Sequence, residues 1–399
     1  MHQTLPYRSL YVYPWDILDC GVTEFVDEML AMGITDISVA TSYHAGKFIR
    51  PHAKNPPCVI FPEDGVVYFN PQIESYGEIK PQAHSDPKLR EVLPALFADG
   101  RLRIHAWTVL MHNSRIGQAY PHRLTRNAFG DPYLYSLCPM HEANVDYARA
   151  LCTDLSGQFP FDSLILETPG WLPYGHGFHH EFAQITLTPW LDQMLGLCFC
   201  DACQTAAKKN GIAIDELQEK IKHDIRHALQ HGSPSEQARQ TLQADGANNE
   251  ALAALIRLRQ ARVTQIVKTL RAEINPSTQL AIIPTVQRPS RICWTEGSDL
   301  KALSEVADYL EIPFYEASAE RAILDAQECL AQEIPAHKIR GILRPGLPDL
   351  RAGQEFPAAF KELNALGIQD LGFYNYGLLP SSQLDLLAST LLQEKEVRL

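Results

Sequence analysis

The chain has no apolar stretch long enough to span a bilayer. Its first residues, MHQTLPYRSLYVYPWD, lack the basic run, apolar core and small-residue cleavage site of a secretory signal. Basic clusters are also missing, since 35 lysines and arginines stand against 47 aspartates and glutamates, a formal net charge of −12. This balance argues against nucleic-acid and membrane partners, because both present anionic surfaces. We therefore expect a cytoplasmic protein, and the pattern leaves a homo-oligomer open.

No glycine-rich phosphate fingerprint follows the first β-type segment, which counts against a dinucleotide-binding fold. Short β-rich runs instead alternate with amphipathic helical runs along the whole chain. Eight such units favour a closed barrel over an open doubly wound sheet. The sequence therefore predicts an α/β protein, a single (β/α)8 TIM barrel over residues 1–399. The predicted strands are SLYVYPWDI, DISVATSYH, LRIHAWTVL, SLILETPGW, QLAIIPTV, DYLEIPFY, KIRGILRPG and DLGFYNYG, with a hairpin over CVIFPEDGVVYFN after the second.

One interval breaks the alternation. Residues 172–277 separate the fourth and fifth strands, which is far more chain than one crossover helix needs. The interval holds a cysteine cluster, polar helical patterns and a final long helical pattern. We interpret it as a large helical insertion on the fourth βα loop, whose last helix serves as the barrel helix.

Two predicted strands end in the same way. LILETPGW (164–171) and YLEIPFYE (309–316) both contain a glutamate followed two residues later by proline. Proline cannot donate to the sheet ladder, so Glu167 and Glu311 are expected at the last rung of strands four and six, at the rim where such barrels carry active sites. Because these strands have the same parity, both side chains should point inward at similar height.

A pair of carboxyl groups at that rim fits the cleavage of a glycosidic bond. One acid protonates the departing oxygen, and a second carboxylate traps or stabilises the oxocarbenium-like centre. The predicted catalytic residues are therefore Glu167 and Glu311, with Glu316 and Asp16 in reserve for the second carboxylate. The alternative is structural: Glu311 would pair with a buried arginine such as Arg344.

Other residues of the same rim would contact the sugar. Aromatic side chains supply flat faces for sugar rings, and polar side chains supply partners for hydroxyl groups. The segment HGFHHE (176–181) is expected to be a substrate-contacting loop, with a catalytic metal site as the alternative. The predicted substrate-binding residues are Trp107, His112, Asn113, Trp171, His176, His179, His180, Tyr315, Glu316, Arg344, Tyr374 and Asn375, with Tyr376 as a further ring.

The nine cysteines are an odd number, and three of them crowd into LCFCDACQ. The C-x-C-x-x-C spacing lets Cys198, Cys200 and Cys203 converge on one ion. A tetrahedral structural zinc needs a fourth ligand, for which Cys138 is our choice. Cys293 and the HGFHHE histidines compete for this position, and small buried cysteines without a metal are the alternative.

Three features together resemble glycoside hydrolase family 42, the β-galactosidase family with a zinc ion bound by four cysteines. They are the Cys138-Pro139 dipeptide before the third barrel helix, Glu167 at the end of strand four, and the later C-x-C-x-x-C array. The resemblance implies that Glu167 is the general acid/base. It also implies that the zinc ligands are Cys138, Cys198, Cys200 and Cys203.

The chain departs from that family at two positions. Leu166 precedes the strand-four glutamate where the family has asparagine, and predicted strand seven offers Arg344 where the family has its nucleophile. We therefore expect a glycoside hydrolase acting on a carbohydrate, without implying β-galactosidase activity. One alternative is a carbohydrate-binding or regulatory barrel that does not hydrolyse its ligand. The other is a metal-dependent hydrolase or lyase using HGFHHE.

Overall fold

The computed structural model describes residues 6–177, 185–231, 249–351 and 353–398. Eight parallel strands, β1 to β8 in chain order, form a closed barrel in which each strand pairs with the next and β8 pairs with β1. This arrangement confirms the predicted (β/α)8 class. The strands are Arg8–Val12, Asp36–Tyr43, Arg103–Val109, Ser163–Glu167, Gln279–Ile283, Tyr309–Pro313, Ile339–Leu343 and Asp370–Phe373.

Helices surround the barrel. Those in the described ranges, α1 to α14, are Pro14–Cys20, Val22–Ala31, Pro87–Arg90, Val92–Asp99, Ser114–Ala119, Glu142–Gln158, Pro189–Leu195, Asp201–Lys209, Ile214–His231, Glu250–Glu273, Leu300–Val306, Ala319–Leu330, Glu355–Ala365 and Ser381–Arg398. None of them combines the length and apolarity that crossing a bilayer needs.

The strands are apolar on both faces because both are buried, as expected for a parallel barrel. Leu164 and Leu166 of β4 belong to the core between the strands and the helices. Ile165, between them, faces the barrel interior, where it joins Tyr11 of β1 and Trp107 of β3. Residues 163, 165 and 167 of β4 therefore point inward, as the parity argument predicts for Glu167.

The predicted hairpin over residues 58–70 is wrong. The short strand Val59–Ile60 pairs antiparallel with Phe48–Ile49, whereas Val66–Val67 pairs antiparallel with β2. Val66 and Val67 are fully buried and Val59 is 41% exposed. The two halves of the segment therefore pack against different neighbours, because only the second half is buried against the barrel.

Helices α7 to α10 occupy the interval between β4 and β5. Apolar residues of α7, α9 and α10, among them Met194, Ile221 and Leu255, form a cluster separate from the main core. Helix α10 also packs against α6 and α11. This group of helices lies next to the loop that follows β4, on the side of the barrel that carries the predicted site.

Candidate active site

Glu167 is the last residue of β4 and is partly exposed at the C-terminal rim. The indole nitrogen Nε1 of Trp107, on β3, donates a 2.6 Å hydrogen bond to its Oε2. Burial raises the pKa of Glu167 to about 7, and the hydrogen bond from Trp107 opposes this shift. A carboxyl group with such a pKa exchanges protons near neutral pH, as a general acid/base must.

Tyrosine side chains surround this carboxyl group. The hydroxyl of Tyr13 lies 3.0 Å from that of Tyr43 and 3.1 Å from that of Tyr374, and the Tyr374 ring lies 5.7 Å from the Trp107 ring. Burial raises the pKa of Tyr43 and of Tyr374, and the charge of Glu167 raises both further. Glu167 is thus the carboxylate of an aromatic rim that holds neutral tyrosine hydroxyls.

A second carboxyl group, Glu296, influences the site and was not predicted from the sequence. It ends the 3₁₀ segment Ser290–Glu296 in the loop after β5, and it is 3% exposed. Its Oε1 accepts hydrogen bonds from Thr285 Oγ1 at 2.5 Å and from the Val286 amide at 3.0 Å. Burial raises the pKa of Glu296 to about 8, with a further contribution from the charge of Glu167. The sequence signal was weak because Glu296 lies in a loop, well after the strand end.

The surroundings of Glu311 argue against its predicted role as nucleophile. Its side chain has no exposed surface and forms an ion pair with Arg340, with Nη1 3.1 Å from Oε1. It also accepts hydrogen bonds from the hydroxyls of Tyr7 and Tyr11. Glu311 is therefore a core carboxylate with a full set of partners. The structural alternative holds, with Arg340 and not Arg344 as the buried arginine.

The tilt of the strands explains this difference. Glu167 pairs with Ile283 of β5, and Ile282 pairs with Leu310 of β6, so one further step of the same register would set Glu311 opposite Ile283. Barrel strands tilt by about 36° and lie about 4.8 Å apart, so a residue two strands away in register differs in height by roughly 6 Å. Arg340, the partner of Glu311, also reaches Ser163 at the opposite end of β4 from Glu167. Glu311 thus points inward, but below the rim.

The reserve carboxylates are also committed to other partners. Asp16 is 3% exposed and forms an ion pair with Arg50 at 2.9 Å. Glu316 forms an ion pair with Arg321 of α12 at 2.9 Å. Both carboxylates are therefore paired with arginines, although Oδ2 of Asp16 is buried without a hydrogen-bond partner in the described part of the chain.

Several predicted sugar contacts are buried structural residues. Trp171 has no exposed surface, and the guanidinium of Arg259 lies 4.4 Å from its ring centroid. Asn113 caps α5 through the Ile116 amide at 2.9 Å, and Asn375 accepts from the Gly377 amide at 3.0 Å. Tyr376 is buried and donates to Glu28, and Trp107, 1% exposed, is a hydrogen-bond partner of Glu167. Burial argues against a direct sugar contact for these side chains, and their predicted role in binding stays a prediction.

The remaining predicted contacts stay at the rim. Tyr315 and Tyr374 are partly exposed, with ring centroids 5.8 Å apart, and the Arg344 guanidinium lies 4.0 Å from the Tyr315 centroid. The ring of His112, which is largely buried, stacks on His44 at 3.8 Å and lies 5.5 Å from the ring of His176. His179 and His180 lie outside the described residues, so the HGFHHE interpretations stay predictions.

The four predicted cysteine ligands meet in one buried cluster. The sulfur of Cys138 lies 3.5 Å from that of Cys203, 3.6 Å from Cys200 and 3.8 Å from Cys198. Four sulfurs bound tetrahedrally at about 2.3 Å from a zinc ion lie roughly 3.8 Å apart. The predicted convergence of these cysteines, and the choice of Cys138 over Cys293, is confirmed, because the four sulfurs all lie within 4.8 Å of one another.

The surroundings of the cluster suit thiolates bound to a cation. Cys200 immediately precedes α8 and Cys203 lies in its first turn, where the helix dipole favours negative charge. The Arg126 amide donates to the Cys198 sulfur at 3.4 Å. Burial lowers the pKa of Arg259, and negative charge on the nearby cysteine sulfurs opposes this shift by favouring the charged guanidinium. Burial also raises the pKa of Cys138, so a set of thiolates requires a neutralising ion.

Comparison with known proteins supports the fold. No family model matches the chain, and no curated protein matches it. The PgaB (BpsB) glycoside hydrolase domain from Bordetella bronchiseptica is similar to it, with a TM-score of 0.62 and 12% identity over 97% of this chain and 99% of that chain. β-Galactosidase from the psychrophilic Marinomonas ef1 has a TM-score of 0.59 and 10% identity over 98% of this chain and 59% of its own. α-L-Fucosidase isoenzyme 2 from Paenibacillus thiaminolyticus has a TM-score of 0.53 and 12% identity over 98% of this chain and 49% of its own. At these identities the likeness shows a barrel fold that glycoside hydrolases use.

Proposed function

We propose that the protein is a glycoside hydrolase in which Glu167 is the general acid/base. The observation that carries the proposal is the placement of one partly exposed carboxyl group, with a pKa raised by burial to about 7, among the rim tyrosines. A protonated Glu167 would donate its proton to the departing glycosidic oxygen. The Trp107 indole holds the other carboxyl oxygen and so fixes the direction of the donor.

The oxocarbenium-like centre needs a second group. Glu311, Glu316 and Asp16 are engaged by arginines, so we do not assign them this role. Glu296 is the second carboxyl group in electrostatic contact with Glu167, but its side chain is buried behind the rim. We infer that Glu296 supports the site, and that a tyrosine hydroxyl or a group of the substrate itself stabilises the positive centre.

The four cysteines are proposed to bind one structural zinc ion. Four protein ligands close a tetrahedral site, so the ion would take no part in the reaction. It would join the segment before α6, which carries Cys138, to the start of α8, which carries Cys203. In this way the metal would hold the helices after β4 beside the mouth of the barrel.

A panel of 4-nitrophenyl glycosides, neutral and acidic and of both anomers, tests the proposed reaction. We expect turnover of at least one member of the panel. On the methyl glycoside of the same sugar, whose alcohol cannot depart unprotonated, Glu167→Gln should lose about 10²- to 10⁴-fold in kcat. Glu305→Gln, an exposed glutamate of α11, is the matched control and should keep full activity. Full turnover of the methyl glycoside by Glu167→Gln would contradict the assignment.

A second candidate function is carbohydrate binding without cleavage. It is supported because no second exposed carboxylate faces Glu167 among the described residues. A barrel that binds carbohydrate without cleaving it would show sugar binding by calorimetry and no release of nitrophenol from any member of the panel. In that case Glu167→Gln would alter affinity alone.

A further inference from the structure

Two arginines of the rim approach one tyrosine. The guanidinium of Arg344, one residue after β7, lies 4.0 Å from the Tyr315 ring centroid, and that of Arg288, in the loop after β5, lies 4.5 Å from it. Arg344 also lies 5.4 Å from the Tyr374 ring. The aromatic face attracts both cations, but they repel each other, and the charge of Arg344 disfavours the charged form of Arg288.

The nearby acids do not neutralise both arginines. Asp349 forms an ion pair with Arg344 at 3.1 Å, and Glu316 is held by Arg321 at 2.9 Å. Arg288 has no ion-pair partner in the part of the chain that the structure describes; its Nη1 donates only to the carbonyl of Val286, at 3.1 Å. A half-buried guanidinium thus keeps most of its donors free in a protein whose formal net charge is −12.

Burial makes this arrangement costly. Burial lowers the pKa of Arg288, because the charged group loses hydration, and the charges of Asp349 and Glu316 offset this loss only in part. A guanidinium in this setting is well suited to an anionic ligand, since it can form two parallel charge-assisted hydrogen bonds to one planar anion. Arg340, by contrast, is paired with the carboxylate of Glu311.

The arginine pair lies beside the proposed catalytic group. The Tyr315 ring is 5.8 Å from Tyr374, the Tyr374 ring is 5.7 Å from Trp107, and Trp107 is hydrogen-bonded to Glu167. An anion held by the two guanidinium groups would therefore belong to the same substrate whose glycosidic oxygen Glu167 protonates.

We propose that Arg288 and Arg344 form a subsite for the anionic group of an acidic sugar, so that the substrate class is glycosides carrying a carboxylate or a sulfate ester. This proposal rests on the proposed function, because it assigns the charge to the substrate of the same site. Asp349 orients Arg344 in the subsite, and Arg288 supplies the charge that the ligand neutralises.

Calorimetric binding to Glu167→Gln protein, which separates recognition from turnover, tests the subsite. The probes are matched 4-nitrophenyl glycosides that differ only at C6: glucuronide against glucoside, galacturonide against galactoside, and glucoside 6-sulfate against glucoside, each as both anomers. We expect at least one anionic member to bind ten times or more as tightly as its neutral partner. A uronide preference identifies a carboxylate, and a 6-sulfate preference identifies a sulfate ester.

Variants then assign the preference to the arginines. Arg288→Gln should reduce it to less than twofold, and Arg288→Lys, which keeps the charge without the planar fork, should retain part of it. Arg291→Gln is the control, because Arg291 is three residues away and 63% exposed, and it should keep the full preference. Anionic and neutral probes that bind alike, or that both fail to bind, contradict the subsite. Acidic sugars that bind to the arginines but are never cleaved by the parent protein contradict the proposed hydrolysis and leave the subsite standing.

Discussion

Replacing Glu311 by glutamine should destabilise the protein without acting on catalysis directly. The carboxylate is fully buried, and it carries the negative charge opposite Arg340, whose side chain is 4% exposed. The Arg340 guanidinium also lies 3.8 Å from the Tyr309 ring and 4.2 Å from the Tyr7 ring. Glutamine keeps the shape of the side chain but leaves a buried cation without its counter-ion.

The expected loss is about 3 to 5 kcal/mol of unfolding free energy, the cost of removing one partner of a buried ion pair. Urea titration followed by circular dichroism measures it. Replacing both partners, as in Glu311→Gln with Arg340→Met, should recover much of the loss because no unpaired charge remains. Glu333→Gln, which removes the exposed partner of Lys301, is the control and should leave the urea midpoint nearly unchanged.

Two results would refute this reasoning. If Glu311→Gln unfolds at the parent's urea midpoint, the buried ion pair is not present. If the variant keeps the parent's stability and yet loses turnover by several orders of magnitude, Glu311 is a catalytic residue, as the sequence pattern alone suggested. Should Glu311→Gln fail to fold, Tyr11→Phe removes one hydrogen bond to the same charge and should cost about 1.5 to 3 kcal/mol.

Three further predictions concern Glu167, Glu296 and the cysteine cluster. The value of kcat/KM should fall as pH rises through about 7, because Glu167 must be protonated to donate its proton. Trp107→Phe should move this fall to higher pH, because the lost hydrogen bond had lowered the pKa of Glu167. A pH profile that does not move would contradict the contact. Glu296→Gln should leave the free energy of unfolding unchanged at a pH below the usual carboxyl pKa and raise it by about 3 kcal/mol at pH 7. The reason is that the pKa of Glu296 is raised to about 8 in the folded protein, so the carboxyl group ionises more easily in the unfolded chain. Equal urea midpoints of variant and parent at both pH 5 and pH 8 would contradict this linkage. Purified protein should hold one zinc ion per chain, and Cys200→Ser should lose it together with stability, whereas Cys58→Ser, at an exposed cysteine, should not; metal-free parent protein would contradict the zinc assignment.

The sequence was most informative where one local pattern had one structural outcome. Alternating β-rich and helical runs predict the barrel, because only a few architectures bury both faces of parallel strands. The position of Cys138 before the third barrel helix also predicted its meeting with Cys198 and its neighbours. Proline two residues after Glu167 correctly indicated the end of β4.

The expected position of Glu311 at the exposed rim is wrong for a three-dimensional reason. Its proline also comes at the end of a strand, β6, but the height of a residue in a barrel depends on tilt and register, which the local pattern does not encode. Glu296 and Arg288 were missed because they lie in the loop after β5, far along the chain from the other rim residues. Burial and the identity of ion-pair partners emerge only from the packed structure.

The central claim, that Glu167 donates the proton, is tested most directly by the leaving-group dependence of Glu167→Gln. A good leaving group such as 2,4-dinitrophenolate departs without protonation, whereas a methyl or sugar alcohol does not. The variant should retain most of its kcat on the dinitrophenyl glycoside of the preferred sugar and lose at least a hundredfold on the methyl glycoside. An equal loss on both substrates, or no loss on either, would contradict it.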